Sequence, residues 1–335
     1  MGIWGSFKEH LPMSVRLPLY RIKYRLKVMF DPDTNFLDRS WDGKYLDVPD
    51  DVFLKRLFRL KMGKELDLEN PKTYCEKLQW LKLYDRNPEY TRMVDKIEAK
   101  RFVTERAGEG HVIPMYGAWD SFDEIDFDSL PDRFVLKCNH DSYGVIVCED
   151  KKTFDYAGTK KIIDKRLKRN NYWPTREWPY KNVKARVFAE AYIDSIGKKG
   201  SIEYKLTCFD GRAKLITVCG GIPHAEIEDR TNDHYDRDFN RLEFTAFYGP
   251  AKPPLPLPDE IEEIIAFSEK LAEGIPEVRV DSYLIDGKVM FGEMTFYTWA
   301  GLIPFDPPEY DEILGSWINL PETKRTGETE AERTA

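Results

Sequence analysis

The sequence predicts an α+β protein in which a helical N-terminal region precedes two strand-rich subdomains. Three observations carry this prediction. Residues 50–106 hold helix-capping signals and helical spacing, short runs rich in Val, Ile and Phe take over from Val112, and two Asp-Gly pairs separate such runs where hairpins turn. The expected division is 1–110, mainly helical; 111–195, a smaller subdomain; 196–320, a larger subdomain; and 321–335, a charged tail read as disordered.

Taken in order, the first thirty residues carry six Lys/Arg against one Glu, interleaved with Trp4, Phe7, Leu11, Leu17, Leu19, Leu26 and Phe30, a pattern suited to a surface-associating helix or to packing on its own domain. Pro49-Asp50-Asp51 opens a helix, and Thr73 with Glu76 makes a capping box for the next. A third helix is expected from near Tyr90, running through Asp95-Lys96-Ile-Glu-Ala-Lys100. Strands are expected at 112–116, 134–138 and 145–148, then a helix over 159–169 and an ordered aromatic loop over 171–180. Further strands follow at 187–193, 202–209 and 213–219, the last two joined at Asp210-Gly211. Residues 220–243 read as a long polar loop, and 260–273 as an amphipathic helix.

With 335 residues, 41% hydrophobic and 33% charged, the chain can bury a core without disulfides. Its five cysteines are widely spaced and lack a C-x-x-C pair, which argues against a disulfide framework and a zinc site and favours a reducing cytosol. No apolar run is long enough to span a bilayer, and none forms a signal-peptide core. Met1-Gly2 with Ser6 fits the short myristoylation pattern. The net charge of −8 conceals a basic stretch, 151–186, with twelve Lys/Arg against three acids. That balance predicts an anionic partner, a nucleotide phosphate or an acidic polysaccharide rather than nucleic acid, with a solvated basic helix as the plain alternative.

The hairpin from Arg279 to Thr295 carries the clearest chemistry. If Ile285 and Asp286 form a type I turn with Gly287 as the left-handed bulge residue, Leu284 pairs with Lys288 and the odd positions share a face. Arg279, Asp281, Glu293 and Thr295 then line that face, while Val280, Ser282, Leu284, Met290, Gly292, Met294 and Phe296 line the core face. Two carboxylates so placed suit Mg²⁺, which takes one or two carboxylates plus substrate phosphates; a solvated face with an Arg279/Glu293 ion pair remains the alternative.

Several separated motifs add to this. Glu76-Lys-Leu-Gln-Trp-Leu-Lys-Leu-Tyr-Asp-Arg-Asn-Pro, Phe134-Val-Leu-Lys137-Cys-Asn-His-Asp-Ser142, Arg176-Glu-Trp-Pro-Tyr-Lys181 and Arg279-Val-Asp281 with Phe291-Gly-Glu293-Met-Thr-Phe-Tyr297 resemble the TupA-like ATP-grasp family, which is associated with bacterial polysaccharide and teichuronopeptide biosynthesis. The resemblance covers roughly residues 50–320. It implies an ATP-grasp fold, two α+β subdomains sandwiching ATP and Mg²⁺, and a ligase that forms an amide through an acyl phosphate. In that scheme Lys96 and Lys137 contact phosphates, and the loop from Asn139 to Gly144, with His140, Ser142 and Gly144, closes over them through backbone N–H groups. Glu190-Ala-Tyr192-Ile is the hinge that meets adenine, Glu203 holds the ribose, and Lys205 adds to the phosphate or acceptor site. Asp281, Glu293 and Thr295 are the metal ligands, Thr295 standing where many relatives have Asn. Arg279, with Lys137, is the catalytic cation that stabilises the acyl phosphate or the oxyanion.

On the substrate side, His224, Arg230, His234 and Arg237 of the long loop are candidates for binding an acidic sugar or acting on the amine, or are simply exposed. The expected function is a cytosolic ATP-dependent carboxylate-amine ligase that modifies a bacterial surface polysaccharide or its precursor, with residues 1–30 a candidate contact with the inner face of the membrane. The first rival is a glycosyltransferase in the same pathway, for which Asp236-x-Asp238 in the long loop is the D-x-D candidate, and the second is a catalytically idle polysaccharide-binding protein.

Overall fold

The computed structural model describes residues 13–141, 144–196, 200–221 and 230–322, with side chains from residue 22 onward. Ser142, His224, the Gly2/Ser6 pattern, the first part of the basic N-terminal segment and all but the start of the charged tail lie outside the described residues.

The capping box at Thr73 forms as its sequence demands. The Glu76 carboxylate accepts from the backbone N–H groups of Lys72 and Thr73, and the helix runs Tyr74–Tyr84. The helix expected from Tyr90 is two helices, Glu89–Val94 and Glu98–Ala107. Asp95 breaks it: in an extended conformation, its carboxylate accepts from Ile97 N–H at 2.9 Å and from Asn139 Nδ2 at 2.9 Å. The break lets Lys96 N–H donate to Asn139 O, which fastens the helical region to the strands.

Two antiparallel sheets follow. β1 (Met115–Trp119), β2 (Phe134–Cys138), β3 (Ile146–Cys148) and β4 (Val187–Ala191) form one, in the order β1-β4-β2-β3. β5 (Ile202–Phe209), β6 (Arg212–Gly220), β7 (Thr231–Asp236), β8 (Arg241–Leu242), β9 (Glu277–Ile285) and β10 (Lys288–Thr295) form the other, in the order β10-β9-β5-β6-β7-β8. Each sheet has its own core. Phe134, Leu136, Val187, Ala189 and Ile163 centre the smaller one. The larger sheet shares its core with the helices between Pro32 and Ala107, the helix Ile261–Leu271 and the helix Glu309–Ser316.

Three local expectations are corrected. The segment 220–243 is not one loop, since 231–236 pairs with β6 along its whole length. Its middle polar residues, Asn232, Asp233 and His234, are buried. The aromatic loop holds a helical turn, Tyr172–Thr175, and within it Arg176 is buried against Phe53 and paired with Asp50 at 2.9 Å. Arg176 therefore gives no charge to a basic surface.

The third correction concerns the hairpin from Arg279 to Thr295. Asp286 and Gly287 both have positive φ, 52° and 72°, and Ile285 pairs with Lys288, so the turn is the two-residue type I′. Such a turn alone would put Asp281 and Glu293 on opposite faces. A bulge at Gly292 resets the alternation, pairing Glu293 with Asp281 and Thr295 with Arg279. The expected face thus forms by another device, at the cost of moving Met290 off the core face, where Val289 and Phe291 are buried instead.

Candidate active site

One row of side chains crosses the large sheet. Glu293 on β10 is opposite Asp281 on β9, which is opposite Lys205 on β5, which is opposite Thr217 on β6. Because directly opposed residues share a face, these groups and their neighbours two residues away form one polar patch. Arg279 clamps Asp281 through two hydrogen bonds, Nε to Oδ1 at 2.6 Å and Nη2 to Oδ2 at 2.8 Å. Lys205 bridges Asp281 and Glu203, the latter at 2.7 Å. Lys96 reaches across from the helix break to Glu293 Oε2 at 2.7 Å. The Thr295 hydroxyl donates to Glu293 Oε1 at 3.2 Å and accepts from Arg279. Tyr283 OH donates to Glu203 at 3.0 Å.

Three cations and three carboxylates neutralise each other in this patch. Burial pushes Glu293 up, but Lys96, Arg279 and Lys205 outweigh it and hold the carboxyl well below its usual range. Burial likewise opposes the charge on Lys205, and Asp281 with Glu203 overcomes it. Glu203 is pushed up, chiefly by burial. The Asp281 side chain is fully covered whereas that of Glu293 is 30% exposed, so Glu293 is the carboxylate presented to the cleft.

That cleft, about 250 Å³, lies between the two sheets. Glu203, Lys205, Tyr283 and Glu293 line its large-sheet wall, and Val135, Lys137, Val147 and Phe188 its small-sheet wall. Ala191, Tyr192 and Ile193 close one end. On the small sheet Lys137 pairs with the buried Glu190, which also receives Lys100 at 3.0 Å. Burial raises Glu190 and the two lysines more than reverse it. The cleft thus has an apolar patch of Val135, Val147 and Phe188 on the small sheet and charged groups on both walls, Lys137 with Glu190 on one and Lys96 with Glu293 on the other.

Among the residues singled out from sequence, Lys96, Lys137, Glu190, Tyr192, Glu203, Lys205 and Glu293 all line this one cleft. Arg279, Asp281 and Thr295 adjoin it through Glu293. His140 is buried away from it, with Nε2 on Arg166 O and Nδ1 on Asn139 Oδ1, and Gly144 lies beside Arg166 and Cys138. The histidine and arginines assigned to the long loop do not converge here. His234 is packed flat on Phe244 at 4.1 Å, Arg230 meets Tyr248 OH, and Arg237 pairs with Glu262. Asp236 caps its own turn by accepting from Asp238 N–H and Asn240 N–H, which leaves the D-x-D pair a structural turn. Two polar residues that line the cleft were missed from sequence, Lys100 and Tyr283. Lys100 had a signal, its spacing of four from Lys96, whereas the Tyr283 bond to Glu203 joins residues 80 apart and had none.

The donor set suits a divalent cation. Two carboxylates directly opposed across one strand pair, with a hydroxyl two residues beyond, offer hard oxygen ligands on one face, and a cation of this kind completes its shell with phosphate and water.

Among curated proteins none matches the chain. Among solved structures, D-alanine–D-alanine ligase from Helicobacter pylori matches with a TM-score of 0.42 at 16% identity, over 75% of this chain and 68% of that one. The D-alanine–D-alanine ligase from Bacillus anthracis, complexed with ATP, gives 0.36 at 20% identity over 61% of this chain, which spans 55% of that ligase. D-cycloserine synthetase DcsG gives 0.37 at 16% identity, over 76% of this chain and 73% of that one. The TupA-like ATP-grasp family matches residues 76–319, from the capping box through the cleft to the last helix, and the chain belongs to that family.

Proposed function

We propose that this protein is an ATP-dependent carboxylate-amine ligase. A substrate carboxylate oxygen attacks the γ-phosphorus of ATP, giving an acyl phosphate and ADP; an amine then attacks the acyl carbon, loses a proton and expels phosphate, leaving an amide. The observation that carries this reading is the neutralised row of Lys96, Glu293, Asp281, Arg279 and Lys205 beside a cleft whose other wall joins an apolar patch, Val135, Val147 and Phe188, to the lysine Lys137. Adenine suits the side of Val135, Val147 and Phe188, and Glu203, held by Tyr283, suits the ribose hydroxyls.

Asp281 and Glu293, with the Thr295 hydroxyl, would hold Mg²⁺, which when bound supplies positive charge to the phosphates. The chain's own cations do the rest. Lys96 turns from Glu293 to phosphate, Lys137 turns from Glu190 while Lys100 keeps that carboxylate neutralised, and Arg279 stabilises the negative charge that develops on the acyl carbon's oxygen. For the substrate, the family's association supports a surface polysaccharide or its precursor as one reactant and an amino acid or other amine as its partner, with the reaction in the cytosol.

Thermal stabilisation tests the reading, because a ligand that binds only the folded state raises its stability by about 2.7 kcal/mol at a hundredfold excess over Kd. Mg-ATP is expected to raise Tm of the wild type and not of Glu293→Ala, and uronic acids offered with amino acids are expected to release ADP. A shift with UDP-sugars and none with ATP would overturn the ligase and favour a glycosyltransferase.

A further inference from the structure

The helix Met13–Phe30 has two apolar sides in its described part. One faces the protein: Val28 is buried, its carbonyl accepts from Asn35 Nδ2 at 2.8 Å, and Tyr24 OH donates to Asp38 at 2.9 Å. On the other, Ile22, Leu26, Met29 and Phe30 are 56%, 50%, 70% and 76% exposed. At about 100° per residue these four fall within an arc of roughly 100°, with Val28 and Tyr24 diametrically opposite. Lys23 and Lys27 border the stripe on one edge and Arg25 on the other, all three exposed. Among the described residues none of the three is paired with a carboxylate, and from Met13 to Phe30 the sequence has five bases and no acid.

Four contiguous large apolar side chains left in water call for an occupant. We propose that this helix lies in the plane of a bilayer containing anionic lipid, with Ile22, Leu26, Met29 and Phe30 among the acyl chains and Lys23, Arg25 and Lys27 at the headgroup phosphates. The charge selects that occupant. A second copy of the chain would bring one basic border against another, whereas anionic headgroups neutralise both. The helix lies on the surface and does not cross it, since no helix among the described residues is long and apolar enough to span a membrane. The inference is independent of the ligase reading, because the stripe is not part of the cleft.

Sedimentation of the full chain with large unilamellar vesicles tests it. Binding is expected to vesicles of phosphatidylcholine with about 30 mol % phosphatidylglycerol, and to fall at least ~10-fold with phosphatidylcholine alone or at ~0.5 M NaCl. Leu26→Ser/Met29→Ser is expected to lose binding at least ~10-fold with an unchanged Tm, since both side chains already face solvent. Replacing Lys23, Arg25 and Lys27 with Gln is expected to abolish the preference for phosphatidylglycerol. No binding by the wild type, or equal binding by the serine variant, would overturn the proposal. So would a wild-type dimer in analytical ultracentrifugation that the serine variant converts to monomer, which would assign the stripe to a second copy.

Discussion

His234 illustrates how burial redirects a residue type that invites a catalytic reading. Its Nδ1 shares a hydrogen bond with Thr217 Oγ1 at 3.0 Å, and its ring lies almost parallel to Phe244. Burial lowers its pKa to about 4, with Asp233 a weaker opposing influence. An unfolded chain protonates histidine near 6.5, so between that pH and about 4 the unfolded state holds the extra proton. Stability is therefore expected to be complete above about pH 7.5 and to fall on acidification by up to ~1.4 kcal/mol per pH unit, reaching a loss of roughly 3 kcal/mol near pH 4. His234→Phe keeps the stack and removes this slope; urea midpoints of both proteins at pH 7.5 and 5.5 measure the difference. Equal slopes would assign the acid sensitivity to other groups.

At the scale of elements, the Gly292 bulge decides whether Asp281 and Glu293 share a face. A Cβ there would meet Asp281 O at 3.0 Å and the Tyr283 ring at 3.2 Å, so Gly292→Ala must part the two strands where Glu293 opposes Asp281. We expect a stability loss of about 1–2 kcal/mol together with the loss of most Mg-ATP stabilisation. Gly287→Ala strains the turn at φ 72°, costs about 1 kcal/mol and leaves the nucleotide response intact. Comparing Tm of both variants with and without Mg-ATP separates register from turn strain. This hairpin also marks how far sequence reasoning reached. Its strands were legible from alternation, but the shared carboxylate face was expected through a three-residue turn that does not form, because a glycine inside a strand, the usual mark of a bulge, was assigned to the core face. The break at Asp95 was equally open to reading, since Asp95 precedes Glu98 as a capping residue precedes its partner. β7 gave no such opening: Thr231-Asn-Asp-His-Tyr-Asp236 buries polar side chains and carries no apolar alternation. The pairings of Glu190 with Lys137 and Lys100 arise only when strand and helix meet, and spacing along one sequence cannot disclose them.

At the scale of the whole molecule, the α+β reading and the ATP-grasp family hold, and motifs spread from Glu76 to Thr295 made both legible. The helices between Pro32 and Ala107 share the core of the large sheet, which sequence alone does not show because the apolar positions that mark a helix do not reveal which surface will bury them. The consequence of having two cores on either side of a charged cleft concerns cooperativity. Each core closes on its own sheet, so without ligand the smaller, with fewer buried groups, is expected to open at lower free energy than the larger. Amide exchange should then be faster in β1 to β4 than in β5, β6 and β9, and Mg-ATP, on the proposed function, should slow the small sheet most, because Lys137 is the small sheet's cation at the cleft. Uniform exchange in the absence of nucleotide would refute the separation. If the separation holds, the nucleotide is a thermodynamic staple, and the sharpness of the unfolding transition alone reports its occupancy.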